Sequence, residues 1–164
     1  MLQLAKSLGE LRFGELMELY VQDNLEHGRE LWPDEPEERR IMLSEQAFYA
    51  YLRDDFFKTP GAVYALWEAY GQYVSALRLE THRDGLLLEA LTTREDQRQK
   101  GYATALIRAV LESRAGEKIY SHVNKHNIPS LKTHENCGFQ IISDHAVYLD
   151  GSVNDRSYTL CHMG

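Results

Sequence analysis

The sequence has few cysteines, few prolines and no long apolar run. Only two cysteines, Cys137 and Cys161, occur among 164 residues. They show no metal-ligand spacing and no disulfide framework, so we interpret both as free thiols. No apolar stretch approaches the length that crosses a bilayer, and the first residues lack a signal-peptide core and cleavage site. These absences predict a cytoplasmic protein that binds neither a metal ion nor a membrane.

The chain also has fewer basic than acidic residues. It contains 18 Lys and Arg residues and 25 Asp and Glu residues, which gives a formal net charge of −7. Nucleic-acid binding needs a basic surface, so this balance argues against nucleic acid as a partner. It is compatible with a cationic substrate such as an amine, and equally with a simple role in solubility. Hydrophobic residues make up 43% of the chain, enough for the core of one domain that we expect to span residues 1–164.

The first half of the chain is patterned as helices. Apolar residues three and four positions apart predict an amphipathic helix from about Phe13 to His27. The stretch Trp32 to Pro36 predicts a loop, and a second helix is predicted from about Glu37 to Asp55. A strand before the first helix is poorly marked, and Leu2 to Ala5 is the only candidate.

The middle of the chain changes to a strand pattern. Three strands are predicted, at Ala62 to Glu68, Gln72 to Glu80 and Leu86 to Thr93. Gly71 and the pair Asp84-Gly85 supply the turns between them. The three strands should therefore form an antiparallel meander.

The last third alternates helices and strands. We predict a helix over Ala103 to Ser113, a strand over Lys118 to Val123 and a helix over Asn127 to Asn136. A closing hairpin is predicted from Phe139 to Leu149 and Arg156 to Cys161. Strand, helix and strand in succession imply one parallel pair. The fold class is thus α/β (α+β), with a mixed, mostly antiparallel central sheet flanked by helices.

A basic turn containing a glycine joins the third strand to the helix that follows. It reads Arg98-Gln99-Lys100-Gly101-Tyr102-Ala103. Backbone N–H groups converge at a helix N-terminus, where the macrodipole is positive, and a glycine lets the main chain approach an anion closely. This turn is suited to holding a phosphate.

A second motif begins about thirty residues downstream. It reads Asn127-Ile128-Pro129-Ser130-Leu131-Lys132-Thr133-His134-Glu135-Asn136-Cys137-Gly138-Phe139. The two motifs and the element order resemble the GCN5-related N-acetyltransferase superfamily, whose members transfer an acyl group from acyl-coenzyme A, usually to an amine. The first motif fully matches the family's pattern of Arg or Gln, two residues, Gly, one residue, and Gly or Ala. The resemblance covers roughly Ala62 to Cys161 and implies the acyl-CoA N-acyltransferase fold.

The resemblance implies that acetyl-CoA is the acyl donor and that specific residues hold it. The N–H groups from Gln99 to Thr104 would bind the pyrophosphate, with Arg98 and Lys100 adding positive charge. The pantetheine arm would pair with the main chain at Leu91 and Thr93. Asn127 and Ser130 would form hydrogen bonds nearby, although Asn127 is also a good helix N-cap. The implied cofactor-binding residues are Leu91, Thr93, Arg98, Gln99, Lys100, Gly101, Tyr102, Ala103, Thr104, Asn127 and Ser130.

The resemblance also implies two catalytic residues, Glu89 and His134. An ammonium must lose a proton before its nitrogen attacks a thioester, and Glu89 lies where many family members have a general base. A solvent-facing Glu89 is the alternative, and Glu80 is a weaker candidate base. His134 occupies the position where the family most often has a tyrosine that protonates the departing thiolate. It would act as the imidazolium or, alternatively, only form a hydrogen bond beside the cofactor.

Two other functions stay open at this point. One is a catalytically silent acyl-CoA-binding sensor or regulatory domain, and the other is a nucleotide-binding module. The second is disfavoured because no Gly-Lys-Ser/Thr sequence is present. In this family the first two helices and the last hairpin form the acceptor site. The resemblance implies that the acceptor is a small-molecule or peptide amine of unspecified identity. A homodimer is compatible with the resemblance, since many relatives form one.

Overall fold

A computed structural model describes residues 1–164. The helices are α1 (Phe13–Leu19), α2 (Val21–Leu31), α3 (Glu37–Asp54), α4 (Tyr102–Ser113) and α5 (Ile128–Asn136). The strands are β1 (Leu2–Ala5), β2 (Val63–Ala69), β3 (Gln72–His82), β4 (Gly85–Thr93), β5 (Ile119–Asn124), β6 (Gln140–Ser143), β7 (Ala146–Val147), β8 (Val153–Asn154) and β9 (Ser157–His162). No helix combines the length and the apolar character that a membrane crossing requires.

Seven of the strands form one mixed sheet in the order β1-β2-β3-β4-β5-β9-β6. The predicted meander is present, since β2, β3 and β4 pair antiparallel in sequence. The predicted parallel pair is β4 with β5, joined through α4. The poorly marked strand at Leu2–Ala5 exists and pairs with β2. The predicted fold class, a mostly antiparallel sheet flanked by helices, is confirmed.

The N-terminal helical region differs from its prediction. A single helix was expected from Phe13 to His27, but α1 ends at Leu19 and α2 begins at Val21. Tyr20 between them has φ −108° and ψ 19°, outside the helical range, and is buried. Its hydroxyl donates to the carbonyl oxygen of Ala90 at 2.9 Å, seventy residues away. A contact with β4 therefore accompanies a break that the local apolar pattern did not show.

The C-terminal hairpin is also more broken than predicted. Strand β6 pairs with β9, but β7 and β8 form a separate two-stranded ribbon at the predicted turn. After Ser143 the chain turns locally, because the Ser143 hydroxyl accepts the N–H of His145 at 3.3 Å. The carbonyl of His145 then accepts the Thr159 hydroxyl at 2.7 Å. These bonds separate the expected long strand into two short ones.

Hydrophobic cores lie on both faces of the sheet. One face packs Leu77 and Leu88 against Leu106 and Ile107 of α4. The opposite face packs Tyr64 and other strand residues against the N-terminal helices. Both cysteines are buried free thiols, as the sequence indicated. The two packed faces fix β4 in the middle of the sheet.

Strands β4 and β5 separate partway along their length. Their parallel pairing covers only Leu86–Leu88 opposite Ile119–Ser121. Beyond this point β4 contains a bulge, where Ala90 has φ 54° and the pairing with β3 shifts register. A bulge bends its strand and increases the local twist. The second half of β4 consequently leaves β5 and opens a cleft between the two strands.

Candidate active site

The glycine turn before α4 presents a row of free backbone N–H groups. The first bond of this helix runs from the Ala105 N–H to the Gly101 carbonyl at 2.9 Å, and no backbone carbonyl accepts an N–H from residues 98–104. Gln99 and Gly101 have φ values of 62° and 83°, which turn these groups outward. A Cβ on Gly101 would meet no atom within 4 Å. This open, N–H-lined turn fits the pyrophosphate of coenzyme A.

The exposed edge of β4 offers a second set of free groups. The Arg94 N–H donates to the carbonyl of Val74 in β3 at 2.8 Å. Successive amides of a strand point to opposite sides, so those of Leu91 and Thr93 point away from β3, toward the gap beside β5. The Thr93 carbonyl lies on this same edge and accepts Arg98 Nε at 3.2 Å. Leu91 and Thr93 are therefore placed to pair with an extended ligand.

A cleft of about 180 Å³ lies between the separated strands. It brings together five residues that the sequence analysis singled out, namely Glu89, Leu91, Asn127, Ser130 and His134. The turn at residues 98–104 lies outside this cleft, where it leads into the N-terminus of α4. The predicted residues thus fall at two places, the free edge of β4 with the cleft beside it and the turn that follows β4.

Glu89 lies in the wall of the cleft and faces the side of the sheet covered by the N-terminal helices. Its side chain is 25% exposed, and its Oε1 lies 3.6 Å from Arg78 Nε on β3. Neither of these two atoms has a hydrogen-bond partner. Burial raises the pKa of Glu89, against the opposing effect of the Arg78 charge. A carboxyl group with a raised pKa is a better proton acceptor near neutral pH than an exposed one.

His134 is almost fully buried at the floor of the cleft. Its Nδ1 lies 2.7 Å from the carbonyl oxygen of Ser130, which can only accept, so Nδ1 carries the hydrogen. Nε2 lies 2.9 Å from the Ser121 hydroxyl and accepts from it in this tautomer. Burial lowers the pKa of His134. The structure favours a neutral imidazole here, whereas the sequence analysis considered the cation.

Asn127 has the capping role that the sequence left open. Its Oδ1 accepts the backbone N–H of Ser130 at 3.2 Å, which caps α5. The Asn127 side-chain amide forms no bond within the protein. The cap orients α5, which in turn positions Ser130 and His134 in the cleft.

The sequence analysis missed a larger pocket on the helical side of the sheet. Its volume is about 470 Å³. Ala90 of the bulge lines both this pocket and the cleft. The pocket is lined by Tyr20 and by residues of α2, α3, β3 and β4: Asp23, Asn24, His27, Ser44, Ala47, Phe48, Tyr51, Arg78 and Ala90.

His122 of β5 is a further residue of the cleft, and it is not among the predicted site residues. Both of its ring nitrogens are buried without a hydrogen-bond partner, and burial lowers its pKa to about 4. Its ring packs on His82 and on Tyr148 from the C-terminal ribbon, with centroids 5.6 and 4.9 Å away. The only signal in the sequence was its place on the strand that pairs with β4.

Tyr20 connects the pocket to the bulge, and Tyr20→Phe should destabilise both. The Tyr20 hydroxyl donates to Ala90 and accepts from Tyr64 at 2.6 Å. Removing it leaves a buried carbonyl and a buried hydroxyl unpaired, at a cost of about 1–3 kcal/mol in the free energy of unfolding. Urea denaturation measures this loss. Tyr49→Phe is the control, since Tyr49 is 40% exposed and its hydroxyl forms no hydrogen bond, and it should change little.

Structural comparison finds the same fold in several acetyltransferases. An N-acetyltransferase from Staphylococcus aureus Mu50 superposes with a TM-score of 0.65 at 14% identity, covering 97% of this chain and 98% of that one. The PaiA N-acetyltransferase of Thermoplasma acidophilum, solved with coenzyme A, gives 0.61 at 12% identity, covering 100% and 99%. The ribosomal-protein-S18-alanine N-acetyltransferase of Escherichia coli gives 0.59 at 13% identity, covering 98% and 92%. At these identities the likeness shows the fold alone.

Sequence comparison identifies the family. No curated protein matches the chain. A sequence model of the acetyltransferase (GNAT) family matches residues 14–139, which is most of the chain and includes both motifs. Enzymes of this family use acetyl-CoA as the acyl donor. The match, together with the separated strands and the N–H-lined turn, shows that this chain belongs to the acetyltransferase (GNAT) family and is an acetyl-CoA-dependent acyltransferase.

Proposed function

We propose that this protein transfers an acetyl group from acetyl-CoA to a primary amine by direct attack in a ternary complex. The observation that carries the proposal is the junction at the β4 bulge. There Ala90 lines both the cleft between β4 and β5 and the pocket beneath the N-terminal helices. A donor in the cleft and an acceptor in the pocket would meet beside Glu89 without an intermediate carrier on the protein.

Glu89 is the proposed general base. It lies in the wall between the two cavities, and its buried Oε1 is free to accept a proton from an incoming ammonium. Its raised pKa suits a base that must hold the proton near neutral pH and release it to solvent afterwards. Glu80 lies on β3, on the same face of the sheet as Arg78 and Glu89. It lines neither cavity, so it is the weaker candidate.

The main chain at Leu91 is proposed to stabilise the transition state. Attack on a thioester carbonyl places negative charge on its oxygen, and a fixed N–H donor lowers the energy of that charge. The Leu91 N–H points to the cleft side of β4, beyond the end of the pairing with β5. The bulge at Ala90 keeps it there, since normal pairing with β5 would use it. Thr93 and the turn at residues 98–104 would bind the rest of the donor.

The departing thiolate is proposed to take its proton from the Ser121 hydroxyl, which regains one from His134 after Nε2 has been protonated from solvent, so that Ser121, His134 and the free thiol all end neutral. Because His134 is neutral and its Nε2 accepts from Ser121, the two act as one hydrogen-bonded unit. Ser121→Ala and His134→Phe should each lower kcat by up to about 100-fold while leaving the Kd for acetyl-CoA nearly unchanged. The double variant should fall no further than the worse single variant. Additive losses would show that the two residues act separately.

Calorimetric titration of acetyl-CoA, with ATP as the control, tests the donor half of the proposal. We expect saturable binding of acetyl-CoA and none of ATP. Thiol release is then followed with a panel of primary amines, each matched by its N-acetylated form as a non-reacting control. Amine-dependent release supports transfer.

The other outcomes separate the alternatives. Binding of acetyl-CoA without release for any amine would support a silent acyl-CoA sensor in place of an enzyme. A burst of acetylated protein before product forms would contradict direct attack, because no protein-bound acetyl group is part of the proposed route.

A further inference from the structure

Arg78 is a largely buried cation whose Nε has no hydrogen-bond partner. It lies on β3 in the wall of the acceptor-side pocket, with its side chain 14% exposed. Buried Arg groups are ordinarily paired and fully hydrogen-bonded. An Arg in this condition is a candidate binding group for an anion.

Aromatic rings pack around the Arg78 guanidinium, but their faces accept no hydrogen bond from its N–H groups. A ring face attracts a cation but offers no lone pair for an N–H donor. This packing fixes the direction of the guanidinium before any ligand arrives, which favours binding. The four rings, with their centroid distances from Arg78 Cζ, are Tyr51 (5.3 Å), Phe56 (5.5 Å), Phe48 (5.8 Å) and Tyr64 (5.9 Å).

The neighbouring carboxylates leave Arg78 available. Glu89 Oε1 lies 3.6 Å from Nε, too far for a hydrogen bond, and is the only ion-pair partner of Arg78. Asp23 lines the same pocket and forms no ion pair with Arg78. The fork of Arg78 toward the pocket therefore has no internal partner.

From this arrangement we infer that the acceptor is a free amino acid or a similar zwitterion, with its carboxylate bound by Arg78. This inference rests on the proposed function and names its substrate class. A guanidinium matches a carboxylate through two parallel N–H bonds. In an α-amino acid one carbon separates the amine from the carboxylate. The charged groups of Glu89 and Arg78 are also close together, with Oε1 3.6 Å from Nε. One amino acid could therefore place its ammonium beside Glu89 and its carboxylate beside Arg78.

The test compares matched acceptors. Acetyl transfer is measured by thiol release for the common L-amino acids and for the C-terminal amide of each, which keeps the amine and removes the carboxylate charge. Wild type should accept at least one free amino acid with a kcat/KM on the order of 100-fold above its amide, since two charge-assisted hydrogen bonds are lost with the amide. Glu89 is unchanged in this comparison, so both acceptors use the same base.

Variants of Arg78 then test whether this residue causes the preference for the free acid over the amide. Arg78→Met should reduce the preference for acid over amide to near unity. Arg78→Lys keeps the charge without the fork, remains closer to the native packing, and should retain a preference reduced by about tenfold. Thermal denaturation of each variant and titration with acetyl-CoA check that folding and donor binding persist. Binding of the N-acetyl amino acid, measured by calorimetry, gives a second readout that does not depend on turnover.

The outcomes separate this inference from the proposed function. Equal use of acids and amides by wild type, or an equal loss for both in Arg78→Lys, overturns the role of Arg78. Turnover with polyamines or other amines that lack a carboxylate, and none with amino acids, overturns the substrate class while the transferase function stands. Failure to bind acetyl-CoA overturns the proposed function itself.

Discussion

Glu89→Gln is expected to lower kcat by about 100-fold or more near neutral pH, the range that a positioned proton acceptor contributes. The amide keeps the shape of the side chain but cannot take a proton from the ammonium. The turn at residues 98–104 and the edge of β4 at Leu91 are untouched by the change, so the Kd for acetyl-CoA should stay near the wild-type value. Thiol release at saturating acetyl-CoA measures the rate, and calorimetry measures the binding.

Glu80→Gln is the matched control for this experiment. Glu80 is a partly buried carboxylate on the same face of the neighbouring strand, but it lines neither cavity. Its replacement should leave kcat nearly unchanged. Because Glu89→Gln also removes the negative charge beside Arg78, urea denaturation must show that the variant is folded at the assay temperature. Wild-type turnover by a folded Glu89→Gln protein would contradict the assignment of the base.

The pH dependence gives an independent check on Glu89. Burial raises its pKa above the ordinary value, so the active, deprotonated form is lost at a higher pH than for an exposed glutamate. Wild-type kcat should fall as the pH drops through that raised pKa. Glu89→Gln has no such group, and its rate should instead rise with pH as more of the amine loses its proton in solution. The gap between the two proteins should narrow in alkaline solution.

Sequence patterns predicted those parts of the molecule that depend on nearby residues. The meander, α4 and the capped α5 follow from apolar periodicity, turn glycines and the Asn127 cap. The N–H-lined turn was predictable for the same reason, because the glycine that permits its backbone conformation lies within the turn itself. Of the predicted site residues, those of the second motif reached the cleft because α5 carries them together.

The features that were not predicted depend on contacts between distant segments. The break at Tyr20 coincides with a hydrogen bond to Ala90, and the bulge at Ala90 opens the cleft. Arg78 stood in the sequence as one basic residue in a strand. Only the packing of α3 and β2 around it encloses its guanidinium in aromatic rings. The protonation of His134 was likewise decided by its burial and by Ser121, thirteen residues before it.

The proposed base and the proposed site for the donor's phosphates can be separated experimentally because they lie on different segments. Glu89 belongs to β4 and lines the cleft, whereas the turn at residues 98–104 begins α4 outside the cleft. A variant of the turn should therefore change the affinity for acetyl-CoA and leave the chemistry of bound molecules intact. A variant of Glu89 should do the reverse.

Gly101→Asp is accordingly expected to raise the Kd for acetyl-CoA by on the order of 100-fold. Coulomb repulsion between a carboxylate and a phosphate a few ångströms apart is worth about 4 kcal/mol at an intermediate dielectric, and solvent and salt reduce this figure. The φ of 83° adds a backbone cost for any residue with a side chain. Since a Cβ at this position meets no atom within 4 Å, the change costs the folded protein backbone strain but no steric clash.

Gly101→Asn isolates the charge. Asparagine has nearly the shape of aspartate, accepts positive φ better than most residues, and is neutral. It should weaken acetyl-CoA binding clearly less than Gly101→Asp does, and the difference between the two variants should shrink as salt is raised, because screening acts only on the charged one. Calorimetry at two ionic strengths measures both effects. Equal affinities for the two variants at low salt would mean that the phosphates bind away from Gly101. The assignment of the N–H groups of residues 98–104 to the pyrophosphate would then be wrong.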